Sequence, residues 1–199
     1  MSGTLQEFVM TFVPLFIVID ALGNLPFVVM ASEGLERKQK TKIVNYAVLT
    51  ATIVGLIFLF LGQFILNILN IDVHEFGIAG GIVLLVLSIK YMMTGHMVTA
   101  VKEELVAIVP IGTPLTVGPA TIATLLLLAG QFPLYMVLVS FALNMVITWV
   151  IFFLSQRIAR FLGQGGLTAV SRVFSLLLAA IAVSMIIGGL RALGIIAGG

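Results

Sequence analysis

The chain has 199 residues, of which 61% are hydrophobic and only 9% are charged, and it contains no cysteine. A soluble domain carries about 25% charged residues, so this composition excludes a water-soluble globular fold. The mean hydropathy of +1.25 indicates an all-α integral membrane protein. Disulfides and cysteine nucleophiles are excluded, and the small net charge of +2 gives no reason to expect a nucleic-acid partner.

Six apolar segments are predicted to cross the membrane, because each is about long enough to span roughly 30 Å of hydrocarbon. In chain order they are about 8–31, 43–69, 76–94, 105–130, 133–155 and 170–190. The first is interrupted near residues 20–26, and the fourth is cut by the prolines and glycines of 110–119. The stretches between the spans, including 156–169, are expected to be polar loops.

Positive charge predicts the orientation. The loops after spans one, three and five hold eight of the ten Lys and Arg residues, whereas the opposite side holds only Arg191 and Lys90 lies within span three. Because cytoplasmic loops carry the excess of Lys and Arg, both termini are expected outside the cytoplasm. The predicted location is the cytoplasmic (inner) membrane of the cell.

The two halves of the chain show internal similarity. Residues 54–65 resemble 147–158, and the interrupted spans lie at a similar offset, with Gly23 opposite Gly118. A repeat of three spans must thread the membrane in the opposite sense the second time. We therefore expect two inverted three-helix repeats, residues 1–95 and 105–199, within one membrane domain. Chance similarity between hydrophobic helices is the alternative.

The interruptions in spans one and four predict a binding site. Irregular backbone survives in hydrocarbon only where protein buries it or where it lines a wet cavity. In DALGNLP (20–26), Gly23 permits unusual dihedrals and Asn24 can cap a new helix; in PIGTPLTVGPATIAT (110–124), Gly118 and Pro119 begin a second one, with Thr121 close by. Two half-helix N-termini facing the membrane centre would favour an anionic group such as a carboxylate. Simple proline kinks are the alternative.

Polar residues inside the spans add candidates. Asp20 lies near the bilayer centre, where a carboxyl holds an ammonium, a coupling cation or a proton, or else caps its own break. Ser140, Asn144 and Thr148 form one stripe on span five that either joins helices or lines a polar path. Small residues at helical spacing predict close packing, at Ala47–Ala51–Gly55, Gly77–Gly81 and Ala180–Ser184–Gly188.

No motif supports enzymatic chemistry, a cofactor or a metal site. His74–Glu75 begins like H-E-x-x-H, but Ile78 stands where the second histidine is required. The nucleophile elbow G-x-S-x-G and the phosphate-binding G-x-x-x-x-G-K-[ST] are both missing. We therefore expect a protein that is not an enzyme.

Three stretches resemble the MarC family of six-span membrane proteins, which is also described as small neutral amino-acid transporters of the SnatA type. They are FVPLFIVIDALGNLPFVV (12–29), FGIAGGIVLLVLSIKYM (76–92) and PIGTPLTVGPATIATLLLLAG (110–130). In such proteins Asp-Pro is usual where Ala21 follows Asp20 here, which softens the first break. The resemblance implies transport of a small zwitterionic amino acid such as glycine or alanine.

Together these observations predict a secondary transporter that works by alternating access. The substrate carboxylate is expected on N–H groups around Gly23–Leu25 and Gly118–Ala120, and the ammonium on Asp20 or on carbonyls freed at the breaks. The full set of candidate residues is Asp20, Gly23, Asn24, Leu25, Thr116, Gly118, Pro119, Ala120, Thr121 and Asn144. Proton coupling through Asp20 is favoured over Na⁺. A passive channel and a membrane scaffold remain alternatives, and homo-oligomerisation is left open.

Overall fold

A computed structural model of the chain describes residues 2–25, 28–29, 32, 35–94 and 117–196, and the regular structure in these residues is helical. The helices are α1 (Ser2–Ile19), α2 (Arg37–Ile68), α3 (Val73–Thr94), α4 (Pro119–Gln131), α5 (Leu134–Phe153) and α6 (Ser155–Ala192). Four of them, α2, α3, α5 and α6, are long and apolar enough to cross a membrane, whereas α1 and α4 are shorter. The predicted all-α membrane fold is confirmed at this level, and six crossings in two inverted repeats stay a prediction.

The two short helices belong to the two spans that were predicted to be interrupted. α1 ends at Ile19, and Asp20 has a left-handed φ of 49°. Helical bonding resumes where the Val28 N–H donates to the Asn24 carbonyl at 3.1 Å. The break in span one is therefore observed. α4 begins at Pro119, and the earlier part of span four, residues 105–116, lies outside the described residues.

The predicted polar loop at 156–169 is wrong. α6 begins at Ser155 and bends at Gly163, whose φ of 64° and ψ of 177° are non-helical. Glycine adopts this positive φ without steric cost, so a short helix precedes the long one instead of a loop. α2 begins six residues before the predicted span at 43, because the Gln39 Oε1 accepts the Glu36 N–H at 3.0 Å and lets polar residues form the first turn.

Small residues let α3 and α6 approach closely. A Cβ added at Gly81 would lie 2.8 Å from the Ala182 carbonyl oxygen, and one at Gly189 would lie 2.9 Å from the His74 carbonyl oxygen. The predicted packing of Gly77–Gly81 is confirmed, since both residues are buried, and Ala51 and Gly55 are buried as well. The predicted stripe Ala180–Ser184–Gly188 is wrong, because all three residues are exposed and the buried face of α6 passes through Ala182.

The remaining helix contacts follow a regular pattern. α1 packs on α5, and α4 packs on α2. α4 also packs on α3, and α1 also packs on α6. Each short helix therefore contacts at least two of the long helices. Two buried clusters hold these helices together. One includes Ile19 and Val117, and the other includes Val18 and Ala120, so residues beside both predicted breaks lie in the apolar core.

Candidate functional site

The break in span one is a closed hydrogen-bonded turn. The Gly23 N–H donates to the Asp20 Oδ1 at 3.0 Å, the Asn24 N–H donates to the Asp20 carbonyl at 3.0 Å, and the Leu25 N–H donates to the Leu22 carbonyl at 3.2 Å. The three amides that were predicted to bind a carboxylate therefore already have acceptors in the chain. In this conformation the turn offers no free N–H at Gly23–Leu25.

Asn24 has a different role from the predicted helix cap. Its Nδ2 donates to the carbonyl oxygens of Ile19 at 3.2 Å and of Asp20 at 2.9 Å, so it closes the C-terminal end of α1. Its Oδ1 is buried and has no hydrogen-bond partner among the residues described. A buried acceptor without a donor costs about 1–3 kcal/mol, so this oxygen is suited to a ligand that donates hydrogen bonds.

Asp20 is 2% exposed, and its carboxyl folds back over the turn. A Cβ at Gly23 would overlap this carboxyl group, so the position requires a residue without a side chain. The capping role considered for Asp20 is observed, because its Oδ1 accepts the Gly23 N–H. Because a bare carboxylate in hydrocarbon is costly, Asp20 is suited to hold a proton or a cation.

The start of α4 has a different hydrogen-bond pattern from the turn in span one. Gly118 is extended (φ −89°, ψ −176°), Pro119 opens the helix, and the Ile122 N–H donates to the Gly118 carbonyl at 3.0 Å. Pro119 has no N–H, and the Ala120 N–H lies in the first turn, where it has no acceptor within the helix. No described atom lies within 4 Å of a Cβ added at Gly118. This helix end therefore presents a hydrogen-bond donor, and a side chain at Gly118 would meet none of the described residues.

The two regions are neighbours in the fold. Ile19 and Val117 belong to the same buried cluster, as do Val18 and Ala120. Asp20, Gly23, Asn24, Leu25, Ala120 and Thr121 are all buried, and Gly118 is half-buried. Thr116 lies outside the described residues. The helices α1 and α4 are in contact, and residues next to the described candidates of spans one and four lie in the same buried clusters.

Asn144 lies apart from the breaks. Its Nδ2 donates to the Phe12 carbonyl at 3.2 Å and to the Ser140 carbonyl at 2.8 Å. Phe12 precedes Ile19 by seven residues, which is about 10 Å along the helix. The Ser140 and Thr11 hydroxyls form a second bond of 2.7 Å between the same helices. Of the two roles considered for the stripe on span five, Ser140 and Asn144 therefore show the joining one.

Thr124 is a neighbour of the site that the sequence analysis missed. Its Oγ1 donates to the Ala120 carbonyl at 2.9 Å, and its side chain contacts Met185 of α6. Thr124 also lines a groove of about 430 Å³ that reaches Gln131 at the end of α4 and Ala192 at the end of α6. The available signal was its spacing, because a threonine four residues after Ala120 lies on the same helix face.

Metal chemistry finds no support in the described part of the chain, where no three His, Cys, Asp or Glu residues cluster.

The sequence matches the MarC family of integral membrane proteins over residues 5–194. It is 33% identical over 193 residues to a UPF0056 membrane protein of Buchnera aphidicola, covering 94% of this chain and 98% of that protein. The UPF0056 inner membrane protein YhgN of Escherichia coli is 33% identical over 192 residues with the same coverage. The UPF0056 membrane protein MJ1677 of Methanocaldococcus jannaschii is 26% identical over 199 residues, covering 94% of this chain and 97% of that protein. No solved structure matches the chain significantly. The chain belongs to the MarC family.

Proposed function

We propose that this protein is a secondary transporter of small neutral amino acids. The start of α4 binds the substrate carboxylate through the Ala120 N–H and the positive end of the helix dipole. The break in span one binds the ammonium through Asp20 and the Asn24 Oδ1. The observation that carries this proposal is the unpartnered Asn24 Oδ1 beside the buried Asp20 carboxyl. An ammonium has three donors and no acceptor, so it satisfies both oxygens.

The opposite end of the substrate needs donors and positive potential. The first turn of α4 supplies both, because its N–H groups point out of the helix and the helix dipole is positive there. Val18, Ile19 and Val117 pack around the two breaks in the apolar core. These side chains leave little room for a large substrate, which favours glycine-like and alanine-like amino acids.

A route to this site is available along α4. The groove of about 430 Å³ ends at Thr124, one helical turn, or about 6 Å, from Ala120. Its far end lies at Gln131 and Ala192, which the positive-inside rule places on the extracytoplasmic side. We propose that this groove is the outer entrance.

We further propose that the two halves are inverted repeats that rock against each other. The helix contacts support this. In such a repeat α4 corresponds to α1, α5 to α2 and α6 to α3. The contact of α1 with α5 then corresponds to that of α4 with α2, and the contact of α4 with α3 corresponds to that of α1 with α6. Such an arrangement exposes a central site to each side in turn. A proton on Asp20 is the favoured coupling ion over Na⁺, because one buried carboxyl suffices to carry it.

The test is uptake of radiolabelled glycine and alanine into proteoliposomes with imposed H⁺ or Na⁺ gradients. Asp20→Asn keeps an oxygen that can accept the Gly23 N–H but removes the charge, so we expect a folded protein that no longer accumulates substrate against a gradient. Undiminished accumulation by this variant would remove Asp20 from the coupling role. The matched control is Asp72→Asn, because Asp72 is exposed at the start of α3.

Counterflow separates the proposal from its alternatives. A carrier shows faster labelled uptake when unlabelled substrate is present inside the vesicle, whereas a passive channel shows no such stimulation. A membrane scaffold shows no specific flux at all. Because the chain has no cysteine, a cysteine introduced at Ser2 or Arg191 and labelled from one side tests the predicted orientation of the termini.

A further inference from the structure

A second polar cavity lies far from the helix breaks, where the first turns of α2 and α6 meet. It has a volume of about 240 Å³. Arg37 and Lys40 line it from α2, and Arg157 lines it from α6. Ser155 and Gln156 also line it, as do Ser32 and Thr41, whose hydroxyls donate to the carbonyls of Val29 at 3.1 Å and of Arg37 at 3.0 Å. The cavity therefore presents three cations to one small polar space.

The cavity has no anion of its own in the part of the chain that the structure describes. None of the three cations forms an ion pair with a described carboxylate. Glu36, which precedes α2, is exposed and does not line the cavity. Arg157 and Ile158 both donate their N–H groups to the Leu154 carbonyl, at 2.9 and 3.0 Å, so the N–H groups of Ser155 and Gln156 are left without intrahelical acceptors. Both the charges and the amides favour a compact polyanionic group such as a phosphate.

One wall of the cavity is apolar and continues along α5. Phe152 and Phe153 line it, and Phe153 is 43% exposed. The Phe153 ring stacks on Trp149 at 5.5 Å, and Trp149 is 39% exposed with its Nε1 held by the Asn45 Oδ1 at 2.8 Å. Exposed aromatic residues of this kind mark the boundary between headgroups and hydrocarbon. The phosphate-sized cavity therefore opens onto a surface that suits an acyl chain.

We propose that this cavity binds an anionic membrane phospholipid, whose headgroup phosphate lies among Arg37, Lys40 and Arg157 while an acyl chain lies against Phe153 and Trp149. Basic pockets between membrane helices are known to select such headgroups. A lipid is favoured over a free phosphate because the charged cavity and the aromatic surface are continuous. The bound lipid bridges α2 to the junction of α5 and α6. The proposal does not depend on the transport activity or on the site at the helix breaks.

The test is native mass spectrometry of the detergent-purified protein with added phosphatidylglycerol or phosphatidylcholine of the same chain length. We expect phosphatidylglycerol to remain bound to the unmodified chain at energies that strip phosphatidylcholine. Arg157→Gln and the double variant Arg37→Gln with Lys40→Gln should each weaken phosphatidylglycerol binding by about five- to tenfold. Lys38→Gln and Arg160→Gln are matched controls, since they remove exposed cations nearby that do not line the cavity.

Two outcomes would overturn the proposal. Equal loss in the control variants would show that binding follows total surface charge and not this cavity. Displacement of bound phosphatidylglycerol by inorganic phosphate or glycerol 3-phosphate at the same concentration as the lipid would show that the ligand is a free phosphate. Thermal unfolding without added lipid checks that each variant folds. A Phe153→Ala variant tests the acyl-chain surface separately. We expect it to weaken phosphatidylglycerol binding less than the arginine variant does, and to leave the binding of free phosphate unchanged.

Discussion

The break at Asp20–Asn24 and the start of α4 at Gly118 belong to the two spans that are predicted to be interrupted, but they differ in which hydrogen-bonding groups they leave unused. At Asp20–Asn24 every described N–H from Gly23 to Leu25 is used, and the unused groups are acceptors, notably the Asn24 Oδ1. At Gly118–Ala120 the helix begins with the Ala120 N–H, which has no acceptor within the helix, and no described atom lies within 4 Å of a Cβ added at Gly118. Two similar sequence features have therefore produced one acceptor end and one donor end.

This difference indicates which kind of ligand would fit both ends. A site made of two identical helix N-termini would favour a ligand with two anionic groups, because both ends would offer N–H groups. An acceptor end beside a donor end instead matches a zwitterion, whose ammonium donates and whose carboxylate accepts. The following predictions test whether the two ends differ in this way.

The largest expected effect is on stability, and it separates the two glycines. Gly23→Ala places a Cβ onto the Asp20 carboxyl and breaks the Gly23–Asp20 hydrogen bond, so we expect a loss of about 2–4 kcal/mol in the free energy of unfolding. Gly118→Ala meets no described atom within 4 Å and keeps an extended backbone, so its change should stay within about 0.5 kcal/mol. Denaturant unfolding of both variants in one detergent gives the comparison. Equal destabilisation would mean that the two breaks are closed alike.

A larger side chain at the open end should remove binding without unfolding the protein. Gly118→Leu fills the space in front of the α4 N-terminus, so we expect the apparent affinity for glycine to fall at least about 100-fold, which corresponds to about 2.7 kcal/mol. Gly165→Leu is the control, because that position is exposed on α6 with nothing within 4 Å. Normal glycine affinity in Gly118→Leu would rule out this end as the carboxylate site.

The sequence predicted the existence of the break in span one and the start of α4 better than their chemistry. Gly23, Pro26, Gly118 and Pro119 cannot continue a regular membrane helix without consequence, so the interruptions follow from local physics. The hydrogen bonds of the Asn24 side chain do not follow from local sequence, because its amide both donates and accepts and its neighbours in space decide which atom is used. The same holds for α6, where Gly163 was read as part of a loop although the residues around it are helical.

The buried face of α3 was predicted correctly from its small residues, whereas that of α6 was not. Gly77 and Gly81 lie one turn apart on one face of α3, and their spacing identified a buried face. α6 carries small residues all around, and spacing alone selected Ala180 and Ser184 although Ala182 lies at the contact with α3. Where several faces satisfy one pattern, only the tertiary contact distinguishes them.

Two buried asparagines provide a matched test of the acceptor end. Asn24 and Asn144 each donate two amide hydrogen bonds to backbone carbonyls and each leave a buried Oδ1 unpaired. Replacing either by Ala should cost about 1–2 kcal/mol in unfolding free energy. Only Asn24→Ala should also weaken substrate binding, by about tenfold, because Asn144 lies about two helical turns from the break. The measurement is the concentration dependence of glycine uptake, and an equal loss of affinity in Asn144→Ala would extend the site along α1.

The smallest expected effect concerns what holds α1 in place beside the break. The Thr11 and Ser140 hydroxyls form a buried 2.7 Å hydrogen bond between α1 and α5. Such bonds between membrane helices contribute about 0.6 kcal/mol on average, because the unfolded chain in the membrane also finds partners. A double-mutant cycle with Thr11→Val and Ser140→Ala should therefore give a coupling energy of about 0.6 kcal/mol, with the apparent affinity for glycine unchanged. A change in affinity would mean that this bond positions the break, and that the acceptor end is set by the packing of α1 on α5 as well as by its own turn.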